Sequence, residues 1–539
     1  MKKIKKNLSC ERKNQKKYIY ISAVIFFIIM LNLFLIYSQK NALENIELGV
    51  EENAIAFIVN GKAQTTIPAK SNYSVTVDCT NGTASWNYDN WGIVINTVDK
   101  GNIKCNVEFN EKGYLRTSSS AGSRPFLAGP IRAATIESIE FAISNTVPSE
   151  VLGSWDVSEN QDRSIMAWYY DRDSNGLYEV YIGQNGGVLA NPDSSYLFYY
   201  MSSLKTLNLS NFDTSDVTNM YYMFNSTGRS STVFTLDLGD KFDTSNVTNM
   251  YNMFGYAGYN STVFTLDLGD KFDTSNVTDM ISMFSSTGYS STVFTLDLGD
   301  KFDTSNVTNM HEMFRNTGYS SSVFTLNLGA KFDTSNVTNM SAMFNYAGYS
   351  SPVFTLDLGD KFDTSNVTKM YSAYSGLYYG MFSNTGYNST VFTLNLGSKF
   401  DTTNITNMRN MFDSTGYNSM VFTLNLGDKF DTSNVTTMQS MFNQTGYSST
   451  VFTLDLGDKF DTSKASMWDM FNFTGFSNPS FILDLRKFNF DNVPSYYTNT
   501  IFDSQPTHIA YVKNISDKSF VSNKGFVGTI IDCSNNTCP

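Results

Sequence analysis

Side chains that could do chemistry recur at fixed intervals in this sequence and do not gather in one catalytic motif. The 539 residues include two histidines, His311 and His508, and neither belongs to a recognisable nucleophile and base arrangement. Phosphate-binding, dinucleotide-binding, zinc-protease and serine-hydrolase motifs are absent from the sequence. We therefore expect a protein that is not an enzyme and that uses no metal ion and no cofactor.

The recurrence comes from an internal repeat, of which STVFTLDLGDKFDTSNVTNM is a typical copy. The Phe of its FDT element returns every 30 residues from Phe212 to Phe362 and again from Phe400 to Phe460, with an eight-residue insertion at residues 371–378 between the two series. A period of about 20 to 50 residues is typical of a solenoid, propeller or other array. The insertion interrupts the period once, and it is either a recognition protrusion or a neutral expansion of a surface loop.

Each unit contains one stretch typical of a β-strand. Phe264, Leu266 and Leu268 alternate with Thr265 and Asp267, which is the period of a strand with one buried face. One strand in each unit favours a solenoid over a propeller, whose blade needs about four strands.

The second half of each unit, FDTSNVTNMYNMF, has the spacing of a short amphipathic helix. Val247, Met250 and Met253 recur at every third position and would form one apolar face. The residues at 243–245 are Asp, Thr and Ser, the types that cap a helix N-terminus, and Gly258 would end the helix.

These patterns predict an α/β fold: a leucine-rich-repeat-like solenoid with one strand and one short helix in each coil of about 30 residues. A transmembrane helix and a small β-rich domain would precede the solenoid. The predicted segments are a basic cytoplasmic tip (1–17), a transmembrane signal anchor (18–37), a small β-rich extracellular domain (41–128), an N-terminal cap (153–204), the repeat solenoid (205–507) and a C-terminal cap and tail (508–539).

The anchor prediction depends on residues 18–37, YIYISAVIFFIIMLNLFLIY, which are uncharged and long enough to cross a bilayer as a helix. The preceding 17 residues hold seven Lys and one Arg against one Glu, so the N-terminus should stay in the cytoplasm. We expect a single-pass protein of the bacterial cell membrane with the bulk of the chain outside. A cleaved signal peptide is the alternative, although no good cleavage site follows the segment.

The rest of the chain is acidic, since the net charge of the whole protein is −12 despite the basic tip. An acidic body would repel a phosphate backbone, so we expect no nucleic-acid partner. Outside the cell, Cys79 with Cys105 and Cys533 with Cys538 are candidate disulfides, and four buried free thiols are the alternative.

The repeats FDTSNVTNMYNMF and TLDLGDK, preceded by SWDVSENQDRSIMAWYYDRDSNGLYEVYIG and NPDSSYLF, resemble the BspA-like leucine-rich-repeat surface proteins of bacteria. The resemblance covers residues 153–523, about two thirds of the chain, and departs from the usual unit because TGYNST-type insertions lengthen each repeat. It implies a surface-displayed array for adhesion or protein interaction.

Two columns of side chains are candidate binding surfaces. The Thr/Asp column would lie on the outward face of the strands, where solenoids commonly bind partners, and its candidate residues are Thr265, Asp267, Thr295, Asp297, Thr325, Asn327, Thr355 and Asp357. The tyrosine column would lie in the lengthened loops and consists of Tyr259, Tyr289, Tyr319, Tyr349, Tyr387, Tyr417 and Tyr447. Tyrosines can stack on sugars or on a protein partner, but these rings could instead stack on each other between coils.

The sequence therefore predicts a membrane-anchored, surface-displayed and non-catalytic array that binds an extracellular protein or glycan along an extended surface. The alternative is a structural spacer or envelope component whose repeats bind no specific ligand. Near-identical repeats favour the spacer, because recognition usually leaves variation between coils on the binding face.

Overall fold

A computed structural model of the chain describes residues 57–59, 62–64, 73–80, 82–87, 92–98, 104–118, 125–239, 241–269, 271–374, 377–488, 490, 501–535 and 538. These residues form two compact units. The first contains the described residues up to Gly113 together with Gln184–Gly186, and the second contains the described residues of Tyr114–Gly183 and those from Gly187 onward.

The first unit is built from short strands that are antiparallel except for the parallel β1–β6 pair. Its strands are β1 (Phe57–Val59), β2 (Lys62–Gln64), β3 (Tyr73–Thr80), β4 (Gly82–Asn87), β5 (Gly92–Val98) and β6 (Lys104–Glu111). They form a four-stranded sheet in the order β2-β1-β6-β3 and a separate β4-β5 hairpin. Val75, Trp86 and Val107 are buried in this unit.

The second unit begins with seven strands that precede the five-residue strands of the coils. They are β7 (Ile136–Ala142), β8 (Gly153–Asp156), β9 (Ile165–Tyr170), β10 (Tyr178–Gln184), β11 (Val188–Leu189), β12 (Thr206–Asn208) and β13 (Phe212–Asp213), with 3-10 helices at Phe126–Ala128 and Ala133–Thr135. β7 pairs in parallel with β12 on one side and with β10 on the other. The sheet that continues into the coils therefore already includes β7, upstream of the predicted cap at 153–204.

The coils follow, each with one strand of five residues. These strands are β14 (Val233–Asp237), β15 (Val263–Asp267), β16 (Val293–Asp297), β17 (Val323–Asn327), β18 (Val353–Asp357), β21 (Val391–Asn395), β22 (Val421–Asn425) and β23 (Val451–Asp455). The insertion forms an antiparallel hairpin of β19 (Tyr371–Tyr374) and β20 (Leu377–Gly380). The C-terminal elements are β24 (Phe471–Asn472), β25 (Ile482–Asp484), β26 (Phe502–Asp503), β27 (Ile509–Val512), α1 (Ile515–Asn523) and β28 (Thr529–Asp532).

Every coil strand buries its second and fourth residues and exposes the other three, as the alternation predicts. Stacking the coils in parallel aligns like with like, so that Phe234 lies beside Phe264 and Leu236 beside Leu266 in the β14–β15 register. The interior is thus a set of columns, each made of one residue type.

Stacked phenylalanine rings form three of these columns. The strand Phe, the Phe of the FDT element and the Phe that follows the second Met of each coil are all buried. In the third column, Phe254, Phe284 and Phe314 are 0% exposed, with successive ring centroids 5.4 and 5.7 Å apart and planes within 5°. Apolar burial along these columns is the main stabilising contribution that a single coil cannot make alone.

The predicted α/β coil with one short helix is wrong, because the segment after each strand is a series of turns. Met253 donates its backbone N–H to Met250 within the coil (3.2 Å), whereas the next residue, Phe254, donates to Met283 of the following coil (2.9 Å). Asn252 has a positive φ of 53°, a conformation outside the helical region. The described residues contain a single α-helix, α1, so the coils are β-rich and joined by hydrogen bonds across turns.

The predicted cap residues stabilise these turns and not a helix. Asp243 accepts bonds from the backbone N–H (2.9 Å) and the hydroxyl (2.6 Å) of Ser245. Thr244, which is 0% exposed, donates its hydroxyl to the carbonyl of Asp273 in the next coil (2.7 Å). The bond from the Ser backbone N–H to the Asp carboxylate recurs along the array, as does the bond from the Thr hydroxyl to the next coil. The Thr bonds fix the position of one coil on the next.

The predicted single-pass location in the bacterial cell membrane is also corrected. Among the residues that the structure describes, no helix has both the length and the apolar character needed to cross a bilayer. The segment predicted as the anchor, residues 18–37, lies outside the described residues. The structure therefore gives no support to a transmembrane helix ahead of the β-rich unit.

Candidate functional site

The Thr/Asp column lies on the outer face of the parallel strands, where all eight of its candidate residues are exposed. Its carboxylates are occupied by local bonds: the Asp267 carboxylate accepts the backbone N–H of Gly269 (3.0 Å), and Asp297 accepts the side-chain amide of Asn327 (3.1 Å). The surface is therefore regular and polar, and it carries no aromatic or arginine side chain of the kind that dominates binding energy.

The tyrosine column is a continuous stack of rings. Its six successive pairs have centroids 4.4 to 4.7 Å apart with planes 1° to 19° from parallel. Arg229 covers the first ring, Tyr259, at 5.0 Å, and Phe476 stacks on the last ring, Tyr447, at 5.2 Å. Burial raises the pKa of Tyr319 and Tyr349 to about 12. Because each ring face is covered by its neighbours, the column joins coils and has only ring edges and hydroxyls to offer a ligand.

The candidate disulfide cysteines occupy separate parts of the chain. Cys533 and Cys538 form a disulfide with their Cα atoms 5.5 Å apart. Cys79 is disulfide-bonded, and the β3–β6 register places Cys105 directly opposite to it. Among the described residues, no group of three or more His, Cys, Asp or Glu side chains is arranged to hold a metal ion.

A third surface carries the differences between coils, and we call it the turn face. It is centred on the two residues that follow the first Met of each coil without the insertion: Tyr221 and Tyr222, Tyr251 and Asn252, Ile281 and Ser282, His311 and Glu312, Ser341 and Ala342, Arg409 and Asn410, Gln439 and Ser440, and Trp468 and Asp469. Ser282, Ser341 and Ala342 are buried, and the other residues are partly or fully exposed. Here the chemistry changes from aromatic to aliphatic, charged, small and again aromatic. Turn hydrogen bonds hold the backbone constant, so only the side chains differ.

A tyrosine cluster forms the N-terminal end of the turn face. It comprises Tyr196, Tyr199, Tyr200, Tyr221, Tyr222 and Tyr251. Tyr221 contacts the rings of Tyr222 and Tyr251 at centroid distances of 4.6 and 5.0 Å, and Tyr200 is 38% exposed. Burial raises the pKa of Tyr196 and Tyr251 to about 12. Like any tyrosine at neutral pH, these side chains carry a hydroxyl that can donate or accept a hydrogen bond.

The β19–β20 hairpin lies in the middle of the turn face between two arginines. The Arg409 guanidinium lies 3.5 Å from the ring centroid of Tyr378, and the Arg315 guanidinium lies 4.8 Å from that of Tyr379. Asn410 donates its side-chain amide to the backbone carbonyl of Tyr378 (3.0 Å). Cation–π contacts of this kind are worth about 0.5 to 2 kcal/mol each, so the hairpin is fastened to the coils on both sides.

Asp413 lies near the hairpin, at the position where one coil carries Arg315 and the other coils carry Asn, Ser or Gly. Its carboxylate accepts a bond from the Asn443 amide (2.8 Å). Burial raises its pKa to about 6, while the bonds from Asn443 and Ser414 act in the opposite direction. The turn face therefore contains a carboxyl that titrates close to neutral pH.

The sequence reasoning missed Arg315, Arg409 and Asp413 as members of one surface. Arg315 and Asp413 depart from the Asn, Ser or Gly of the other coils and Arg409 lies at a variable position, which was the available signal, but repeat position alone does not show that these residues lie near the hairpin. The arginines became partners of Tyr378 and Tyr379 only because the insertion folds back over neighbouring coils.

No curated protein and no solved structure is significantly similar to this chain. A family of repeat sequences described as "Mycoplasma protein of unknown function, DUF285" matches residues 192–294, 288–379 and 377–509, which together make up more than half of the chain and cover the coils with their aromatic columns. The chain belongs to this family.

Proposed function

We propose that the array is a non-catalytic scaffold that binds a protein or glycan partner along the turn face. The observation that carries the proposal is the distribution of differences between coils. The buried Phe columns, the tyrosine column and the Thr/Asp column repeat almost unchanged, whereas the turn face differs at every coil.

The side-chain types on the turn face support the same function. Tyr, Trp and Arg supply most of the binding energy in protein interfaces, and this surface carries the tyrosine cluster, Arg409 and Trp468. Trp468 is 50% exposed. Removing a large aromatic ring from water is energetically favourable, so a partner that covered Trp468 would be bound more tightly.

The motif resemblance to BspA-like surface proteins supports an interaction role as well. The shared element is V-T-x-M-x-x-M-F, whose variable positions between the two methionines are those of the turn face. In our proposal this resemblance extends to function, with the variable positions selecting the partner.

Binding of the full-length protein to a panel of immobilised extracellular-matrix proteins and glycans tests the proposal. We expect at least one panel member to bind, and we expect Tyr200→Ser and Trp468→Ser each to weaken that binding by about tenfold or more. The double variant Thr265→Ala with Asp267→Ala changes the Thr/Asp column instead of the turn face. It is the matched control and should leave binding unchanged.

Three results would overturn the proposal. Binding that depends on Thr265 and Asp267 but not on Tyr200 or Trp468 would move recognition to the Thr/Asp column. Binding that none of these substitutions changes would place recognition outside the coils. No binding to any member would favour the structural spacer.

A further inference from the structure

Neighbouring coil strands do not pair evenly along the array. β14 with β15, β16 with β17, β18 with β21 and β22 with β23 each pair through all five residues. Between these pairs, β15 and β16 share only Val263 with Val293, β21 and β22 share only Val391 with Val421, and β17 and β18 belong to different sheets. We call the two kinds of contact closed and open junctions, and they alternate coil by coil.

The serine that lies two residues before each coil strand has different hydrogen-bond partners at the two kinds of junction. At the closed β14–β15 junction, Ser261 donates its hydroxyl back to the carbonyl of Ser231 (2.6 Å). At the open β15–β16 junction, Ser291 accepts the backbone N–H of Phe264 (3.2 Å) and donates to the carbonyl of Val293 (3.0 Å). Ser351 and Ser419 repeat the second arrangement at the other open junctions.

The exposure of the strand leucines and the positions of two clefts follow the same alternation. The strand leucines Leu236, Leu296, Leu356 and Leu424 are 0% exposed, whereas Leu266, Leu326, Leu394 and Leu454 are 5% to 9% exposed. A cleft of about 770 Å³ lies at the β15–β16 junction, lined by Leu266, Leu298 and Phe272, and another of about 290 Å³ lies at the β21–β22 junction. The coils that meet at open junctions and at closed junctions are nearly identical in sequence. Amino-acid composition therefore does not determine which junction is open.

Two aromatic columns with different ring spacings lie at the two ends of the coil strands. The strands start beside the tyrosine column, where rings repeat every 4.4 to 4.7 Å, and end beside the FDT phenylalanines, where rings repeat every 6.2 to 6.4 Å. Parallel strands require about 4.8 Å. The FDT rings keep nearly the same spacing at a closed junction (Phe302 to Phe332, 6.4 Å) and at an open one (Phe272 to Phe302, 6.2 Å), so this column runs evenly past both kinds of junction. The pairing kept at the open junctions, at Val263 and Val391, is the one nearest the tyrosine column.

We propose that the closed pair of coils is the rigid unit of this array and that each open junction is a joint, which closes and reopens as its serine exchanges one set of hydrogen-bond partners for the other. Both sets exist in the same structure at chemically equivalent sites, so the two arrangements are close in free energy. The joint lets the spacing between coil pairs adjust without breaking the tyrosine or Phe columns.

Paired cysteines on the exposed strand face test the proposal in the full-length protein. Thr235→Cys with Thr265→Cys spans a closed junction, and Thr265→Cys with Thr295→Cys spans the adjacent open one. A Cα separation of about 4.8 Å suits a disulfide, whereas a wider one does not. With the unsubstituted chain as control, we expect mild oxidation to link the closed pair quickly and the open pair at least tenfold more slowly but to completion, as read by thiol alkylation and peptide mass mapping.

Equal rates for the two pairs would show that the junctions are alike and would overturn the alternation. If the cysteines across the open junction never form a disulfide, the two strands stay apart. That result would overturn the proposal that the open junction is a joint. As a second measurement, Ser291→Ala in the open-pair background should accelerate linkage at least threefold, because it frees the Phe264 N–H for a backbone partner. Ser261→Ala should not alter that rate, and an unchanged rate in Ser291→Ala would refute the serine switch.

Discussion

Removal of one ring from the middle of a buried Phe column should destabilise the array strongly, and Phe284→Ala makes this change. Phe284 is 0% exposed and lies between Phe254 and Phe314, at centroid distances of 5.4 and 5.7 Å with planes within 5°. A buried Phe→Ala change costs about 3 to 5 kcal/mol. Two well-aligned ring contacts, each worth about 0.5 to 1.5 kcal/mol beyond area burial, place the expected loss in the upper half of that range, at about 4 to 5 kcal/mol.

The position of the substitution should matter, because each coil contacts only its neighbours. Phe502, at the end of the same column, stacks on Phe471 (5.7 Å, 1°) but meets Phe526 edge-on at 86°. Phe502→Ala therefore loses one parallel contact instead of two, and we expect about 3 kcal/mol. The central variant weakens both junctions of its coil and should split the unfolding transition into two steps.

Urea denaturation of the full-length protein, followed by circular dichroism and tyrosine fluorescence, measures both effects. Val263→Ala is the control, since Val263 is 52% exposed and its loss should change the free energy of unfolding by less than about 0.5 kcal/mol. A cost below about 1.5 kcal/mol for Phe284→Ala, or equal costs at the centre and the end, would refute the stacked column as the main core of the array.

Three further outcomes are expected. Thr274→Val deletes a hydroxyl that donates to a carbonyl in the next coil (2.8 Å), so urea denaturation should show a loss of about 1 kcal/mol, whereas Thr265→Val on the exposed face should cost almost nothing. Burial raises the pKa of Asp413 to about 6, above its ordinary value of 3.8, so its contribution to stability falls as pH rises from about 4 to 6; melts of Asp413→Asn should lose this pH dependence and exceed the parent protein in stability at pH 7. Arg409→Ala removes the guanidinium over Tyr378, and limited proteolysis should then cut the hairpin several-fold faster, while an unchanged cleavage rate would show that the stacking does not hold it.

The strand half of each coil could be predicted from the sequence because its signal is local. Phe264 and Leu266 alternate with polar residues, and only a strand places such residues on opposite faces. The tyrosine stack was also one of two open interpretations, and the rings do contact one another.

The turn half could not be predicted, because two structures share its spacing. Val247, Met250 and Met253 recur at every third position, which suits a helix and equally suits successive three-residue turns. The choice depends on whether Phe254 finds an acceptor in the next coil, and it does, at Met283. That contact exists only after stacking, so no window within one repeat reveals it.

The alternation of junctions has no sequence signal at all. Ser261 and Ser291 occupy the same repeat position with nearly the same neighbours, yet they have different partners. The difference appears only in the assembled array, where β15 pairs through five residues with β14 and through one residue with β16. The hairpin contacts of Arg315 and Arg409 were likewise invisible before the insertion was folded.

The side-chain bonds between coils also determine how such a gene can change in length. Thr244 and Thr364 make the same bond to the next coil's Asp carbonyl, although the sequence separation is 29 residues in one case and 37 in the other. Whole coils are therefore interchangeable, and recombination between near-identical copies can add or delete one without leaving an unpaired donor. A deletion of half a coil would orphan a buried threonine hydroxyl, so selection should preserve copy-number variants that differ by complete repeats.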